Sequence, residues 1–196
     1  MSYLDSVLDP QKATQKVQLL LETIKASAIE FDFIAVRGMS GALIGGAVSM
    51  ELSKPIVIVR KGESTHGAAV EYPTDMTVTS SKYIIIDDGI ATGSTIIEIL
   101  EKLGPGHFCC TCKGIFLYAQ DDIWQGRDAE KLASILHQKL QEKNIRIKTR
   151  VYLTSAKYCD ADTTRGSKRR TGCSESLAIL ESESLKQQSK KREMMK

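Results

Sequence analysis

Tyr83-Ile84-Ile85-Ile86-Asp87-Asp88-Gly89-Ile90-Ala91-Thr92-Gly93-Ser94-Thr95 is the stretch that decides the fold. A β-branched apolar run stops at two adjacent carboxylates. Small and hydroxylated residues follow, and then an apolar pattern at helical spacing over residues 96–103. The order is that of a buried strand, a polar loop at its carboxyl end and a helix N-terminus. Free backbone N–H groups at such an N-terminus favour an anion. Two carboxylates beside it would repel a bare phosphate, but they suit a ligand that also carries hydroxyls, as a sugar phosphate does.

The same grammar recurs upstream. Residues 31–36 read as an apolar strand, Arg37-Gly38-Met39-Ser40-Gly41 as a glycine-bearing turn, and residues 42–52 as a helix rich in Gly and Ala. Gly41, Gly45 and Gly46 would let that helix lie close to a sheet. Residues 55–59 form a third strand that ends at Arg60-Lys61. Residues 62–81 have poor periodicity and many loop formers, with a β-ribbon expected at 68–72 and 76–79. Their basic start and His66 suit a lid over an anionic ligand, and an ordinary loop histidine is the competing reading of His66. Towards the N-terminus, Asp9 caps a helix over residues 10–29, with Pro10 in its first turn. Val17, Leu20, Leu21, Ile24 and Ala28 line its apolar face. Downstream, residues 113–118 and 147–153 read as strands and 129–143 as a helix.

Strands alternating with helices predict an α/β fold: a parallel twisted sheet of about five strands with helices on both faces. Ligands in such folds bind beyond the carboxyl ends of the strands. Arg37, Arg60-Lys61 and Asp87-Asp88 all fall at such ends.

With 196 residues, 42% hydrophobic and 26% charged, the chain suits one α/β domain with a sizeable core. The net charge of +3 does not argue for nucleic acid. Nine Lys and Arg residues crowd the end of the chain, from Arg165 to Lys196. Residues 1–155 therefore read as the folded domain and 156–196 as a basic, partly disordered or helical segment. No apolar run has the roughly 20 residues of a membrane span, and no secretory signal is visible at the start. A cytoplasmic location with reduced thiols is expected, since Cys109, Cys110 and Cys112 lack the paired spacing of a zinc site.

Residues 84–95 resemble the signature of the type I phosphoribosyltransferases, which bind phosphoribosyl pyrophosphate (PRPP). The shared pattern is an apolar strand, two acids, two apolar residues and then small and hydroxyl residues around a Thr-Gly step. Gly89 departs from it, standing where the family usually has an apolar residue. Residues 33–61 are similar to the family's first strand, pyrophosphate loop, helix and second strand. Arg60-Lys61 with His66-Gly67 resembles the flexible loop of orotate phosphoribosyltransferases. Glu71-Tyr72 and Thr74-Asp75 are closer to the matching region of the adenine enzymes. The resemblance covers residues 31–120 well and reaches 155 loosely.

The resemblance implies a small variable hood, to which residues 1–30 contribute, and a set of roles. Asp87 and Asp88 would take the ribose hydroxyls, directly or through Mg²⁺ held by way of water. Ala91, Thr92, Gly93, Ser94 and Thr95 would hold the 5′-phosphate, and Arg37 and Gly38 would meet the pyrophosphate. Lys61, His66 and Asp88 would be catalytic. Of Arg60 and Lys61, Lys61 is favoured. The implied partners are PRPP and a nucleobase, with a homodimer expected and neither membrane nor nucleic acid. A purine is favoured, adenine ahead of orotate. The competing expectation is an inactive PRPP-sensing regulator that binds nucleic acid.

Overall fold

The computed structural model describes residues 4–61, 68–118, 129–154 and 178–181. His66, residues 119–128 and most of the basic tail lie outside the described residues. Helix α1 (Asp5–Leu8) leads into α2 (Pro10–Ser27). Then come β1 (Phe33–Arg37), α3 (Gly38–Leu52), β2 (Ile56–Val59) and β3 (Val70–Glu71). The chain continues with β4 (Lys82–Asp87), α4 (Ser94–Leu103), β5 (Thr111–Leu117), α5 (Ala129–Glu142), β6 (Lys148–Leu153) and β7 (Ala178–Glu181).

The strands form one sheet in the order β3-β2-β1-β4-β5-β6-β7. The inner five, β2-β1-β4-β5-β6, are parallel, as expected. Both edges are antiparallel additions, β3 on β2 and β7 on β6. Strand β7 differs from the helical or disordered tail expected at those four residues. Its pairing with β6, Val151 opposite Ala178 through Lys148 opposite Glu181, is a long-range contact that local pattern does not announce. Residues 76–79 are not a strand. The Val78 carbonyl there accepts from the Cys110 thiol at 3.0 Å, and the Ser80 N–H reaches the Phe108 carbonyl at 2.9 Å.

Successive side chains of the inner strands point to opposite faces, each covered by helices. On one face Val36, Ile84, Ile86 and Phe116 pack with Leu20 and Ile24 of α2 and Ile44 and Val48 of α3. On the other, Ala35, Ile85, Ile115 and Val151 pack with Ile96 and Leu100 of α4 and Leu136 and Leu140 of α5. Asp9 caps α2 as expected, its Oδ1 accepting from Gln11 N–H at 3.0 Å and Lys12 N–H at 3.3 Å. Ala28 is not on the apolar face. It is exposed and ends the helix in the left-handed region, at φ 51°.

Helix α3 starts directly from β1. The expected turn at residues 37–41 is instead the first helical turn, because Gly38 reverses the chain in one step at φ +79°. The helix then lies hard against the sheet. A Cβ on Gly45 would stand 2.5 Å from Val36 Cγ1, whereas one on Gly46 would meet nothing within 4 Å. Gly45→Val should therefore lower stability by roughly 1–3 kcal/mol through overpacking. Gly46→Ala should raise it by about 0.5–1 kcal/mol by stiffening the unfolded chain. Urea unfolding of the two variants beside the parent checks both signs.

Candidate active site

Three strand ends converge at the carboxyl edge of the sheet. Gly38 opens α3 next to β1. A Cβ placed there would stand 3.3 Å from Lys61 Cε and 3.4 Å from Lys61 Nζ, so the ammonium lies over the glycine's backbone. Arg60 turns the other way and pairs with Glu71 of β3 at 2.6 Å. The two neighbouring cations after β2 are thus divided: Arg60 serves the sheet edge and Lys61 the site.

Asp87 ends β4 and is only 4% exposed. Its Oδ1 accepts the Asp88 N–H at 3.0 Å. Burial pushes the Asp87 carboxyl well above the usual carboxylate range, and the neighbouring Asp88 charge pushes it further. The Asp88 N–H bond and the Lys61 ammonium oppose that shift without cancelling it. Asp88 is half-buried and folds back on the loop, its Oδ1 accepting the Gly89 N–H at 2.9 Å.

The following loop is anchored from below and open above. Ile90 is 1% exposed and belongs to the core, while Ala91 and Thr92 face solvent. Gly93 takes φ +78° at the N-cap of α4. It is buried against α5, where a Cβ would stand 3.5 Å from Leu136 Cδ1. Above it the Thr92 and Ser94 hydroxyls are 2.9 Å apart. The first amides of a helix have no intrahelical acceptor. The start of α4, with exposed Ser94 and half-buried Thr95, is therefore an anion cradle open to solvent.

Arg37 departs from its expected place. Its side chain is buried and ion-paired with Glu98 of α4, and its Nε has no hydrogen-bond partner among the described residues. Glu98 is the site-edge residue that sequence reasoning missed. Nothing local marks a partnership between positions 37 and 98; both merely lie on the α4 face of the sheet, where Ala35 sits opposite Ile85.

The residues brought together are Gly38, Lys61, Asp87, Asp88 and the loop from Ala91 to Thr95; Arg37 is directed to Glu98. No cluster of three or more His, Cys, Asp or Glu side chains suited to a metal occurs among the described residues. Cys109 is exposed and Cys110 and Cys112 are buried, all three as free thiols. None of the described helices is long and apolar enough to cross a membrane.

The chain is 33% identical over 118 residues to the adenine phosphoribosyltransferase of Bifidobacterium longum (strain DJO10A), a match covering 52% of this chain and 61% of that protein. It is 29% identical over 101 residues to the orotate phosphoribosyltransferase of Thermococcus gammatolerans, covering 50% of this chain and 53% of that one. The chain thus spans little more than half the length of these curated relatives. Among solved structures it is similar to the orotate phosphoribosyltransferase from Aeropyrum pernix, with a TM-score of 0.48 and 20% identity, covering 60% of this chain and 64% of that one. No family model matches the chain. By sequence the chain is thus similar to adenine and orotate phosphoribosyltransferases over the part that holds the strand, acid pair, small-residue loop and helix at the sheet's carboxyl edge.

Proposed function

We propose that this protein transfers the 5-phosphoribosyl group of PRPP to a ring nitrogen of a nucleobase and releases pyrophosphate. The observation that carries the reading is the meeting of Lys61, Gly38 and the buried Asp87 beside the open N-terminus of α4. One edge thereby offers a cation, two hydroxyl acceptors and an anion cradle, which is what PRPP requires. The backbone amides of Ala91 to Thr95, with the Thr92, Ser94 and Thr95 hydroxyls, hold the 5′-phosphate. Asp87 and Asp88 accept from the ribose 2′- and 3′-hydroxyls. Gly38 lets the pyrophosphate approach the backbone closely.

In the reaction the bond from the anomeric carbon to pyrophosphate breaks, and a bond from that carbon to the base nitrogen forms. Positive charge builds on the sugar and negative charge on the leaving group. Lys61 stabilises the departing pyrophosphate, so its contribution grows as the bond breaks. Asp88 steadies the ribose through the charge build-up. His66, five residues beyond Lys61 in the sequence, assists at the leaving group. The working form is a homodimer. Pyrophosphate oxygens supply hard ligands for Mg²⁺, and two adjacent carboxylates facing a single ammonium leave negative charge for it to balance. Asp87 and Asp88 would hold it by way of water, and it would offset charge on the leaving group.

A purine, adenine first, is the favoured base, and orotate is the alternative. A PRPP-sensing regulator is the second reading, and one observation favours it: Glu98 occupies the Arg37 guanidinium that pyrophosphate would otherwise meet.

Incubation with PRPP, Mg²⁺ and a panel of bases, read as pyrophosphate release, decides between the two. Turnover with adenine, hypoxanthine, guanine or orotate supports the enzyme and names the base. PRPP that raises the melting temperature while every base stays inert supports the sensor. Lys61→Ala should lower kcat by roughly a hundredfold and PRPP affinity far less, measured by steady-state kinetics and calorimetry. Equal losses in the two would remove Lys61 from its leaving-group role.

Asp87→Asn should abolish PRPP binding yet raise the melting temperature of the ligand-free protein in chelator at neutral pH. The sign follows from the raised pKa. The folded state prefers the neutral carboxyl, so the stability Asp87 contributes is fully present below the ordinary carboxylate range and is lost as pH rises through the raised value. The gain from asparagine should accordingly shrink as pH falls. A variant less stable than the parent at pH 7 would contradict the account of Asp87.

A further inference from the structure

We propose that Glu98 is a positioning residue: acting through Arg37, it holds the two anion-binding ends of the site at the separation that one PRPP molecule spans. This rests on the PRPP reading of the site and adds to it an ion pair that takes no part in the chemistry.

The two ends are the starts of two helices. Arg37 is the N-cap of α3 and Gly93 the N-cap of α4, and neither start has a side-chain cap hydrogen bond. Ile96 and Leu100 hold α4 on the sheet through apolar packing. Such packing is non-directional, so by itself it leaves the distance between the two starts loosely set.

The Arg37–Glu98 pair supplies the missing direction. Arg37 is the last residue of β1 and directly precedes Gly38, where the pyrophosphate comes close to the backbone. Glu98 stands one turn beyond Ser94 on the same face of α4. Side chains on a helix lean toward its N-terminus, so the carboxylate is carried back toward the phosphate cradle. There its Oε2 accepts from Arg37 Nη2. One ion pair thereby joins the strand end behind Gly38 to the turn behind Ser94.

Stability alone does not account for this pair. Arg37 is 7% exposed, and its Nε is buried with no hydrogen-bond partner among the described residues. A buried ion pair adds little over apolar residues of similar volume, and an unmade bond at Nε lowers its worth further. Phe33 and Ala35, which precede Arg37 at alternate positions of β1, are apolar core residues, and a third would continue their face. What the guanidinium offers instead is a planar, rigid set of donors, which fixes geometry. The next carboxylate of α4 is a contrast. Glu101 pairs with Lys143 at 3.4 Å, both side chains are exposed, and solvent weakens the contact.

Ribose 5-phosphate and pyrophosphate each engage one end of the site, whereas PRPP engages both. Loosening the spacing should therefore weaken PRPP and spare the fragments. Calorimetric titration of the full chain with each of the three, in Mg²⁺, reads the difference. Arg37→Met combined with Glu98→Met replaces the pair by apolar side chains and should melt no lower than the parent. It should nevertheless bind PRPP about tenfold more weakly, with either fragment changed by less than about twofold. Glu98→Gln should give the same pattern at a lower melting temperature, because it leaves the buried guanidinium unpaired. Glu101→Gln should leave all three affinities unchanged. Parent-like PRPP affinity in the double variant overturns the proposal. So does an equal loss of all three ligands there, a loss of pyrophosphate as large as that of PRPP, or a gain in pyrophosphate affinity in Glu98→Gln. A parent that binds none of the three overturns the PRPP reading itself, and the proposal with it.

Discussion

A carboxylate buried at the end of the central strand is costly, and the surrounding structure is arranged around it. Asp87 is covered by α3, whose Gly41 lets the helix approach until a Cβ there would stand 3.3 Å from the Ile86 carbonyl and 3.9 Å from Asp87 Oδ1. It is relieved on the open side by one amide and one ammonium, Asp88 N–H and Lys61. A fold that only sought stability would place an apolar residue there, as the three isoleucines before it do. The strain is concentrated where a hydroxylated, doubly anionic ligand would relieve it.

Lys61 reaches across the ends of the neighbouring strands β1 and β2. It follows a strand of only four residues, and the chain beyond it leads to the edge strand β3. Arg60 fastens that edge through Glu71, and Lys61 leans inward over Gly38. The adjacent side chains thus divide between holding the sheet and serving the site. A helix that begins at the last strand residue, without an intervening loop, keeps Gly38 low enough for the lysine to pass above it.

The alternation of strands and helices, the Asp9 cap and the acid pair could all be read from the chain, because each is a local pattern with a local cause. Gly45 could be read as a close-packing glycine, and it is one. Gly46, equally small and adjacent, has open space around it, and only the helix phase against the sheet separates the two. Strand β7 was hidden because its four residues stand in polar sequence and owe their conformation to β6. The pairing of Arg37 with Glu98 was hidden for a similar reason: 61 residues separate them, and only the packing of α4 on β1 brings them together. The site's acids and loop were visible as a motif, while the partner that claims Arg37 was not.

Strand β7 also gives the fold a history in time. Strand β6 is an inner strand only because Ala178–Glu181 closes its free side. Until those residues leave the ribosome, β6 presents an unpaired row of N–H and C=O groups, with the apolar Val151 and Tyr152 among its residues. At about 5–20 residues per second, the 24 residues from 155 to 178 take roughly one to five seconds to emerge. Ala178–Glu181 is therefore a clasp on the sheet, and its pairing covers the β6 edge that would otherwise be open to association.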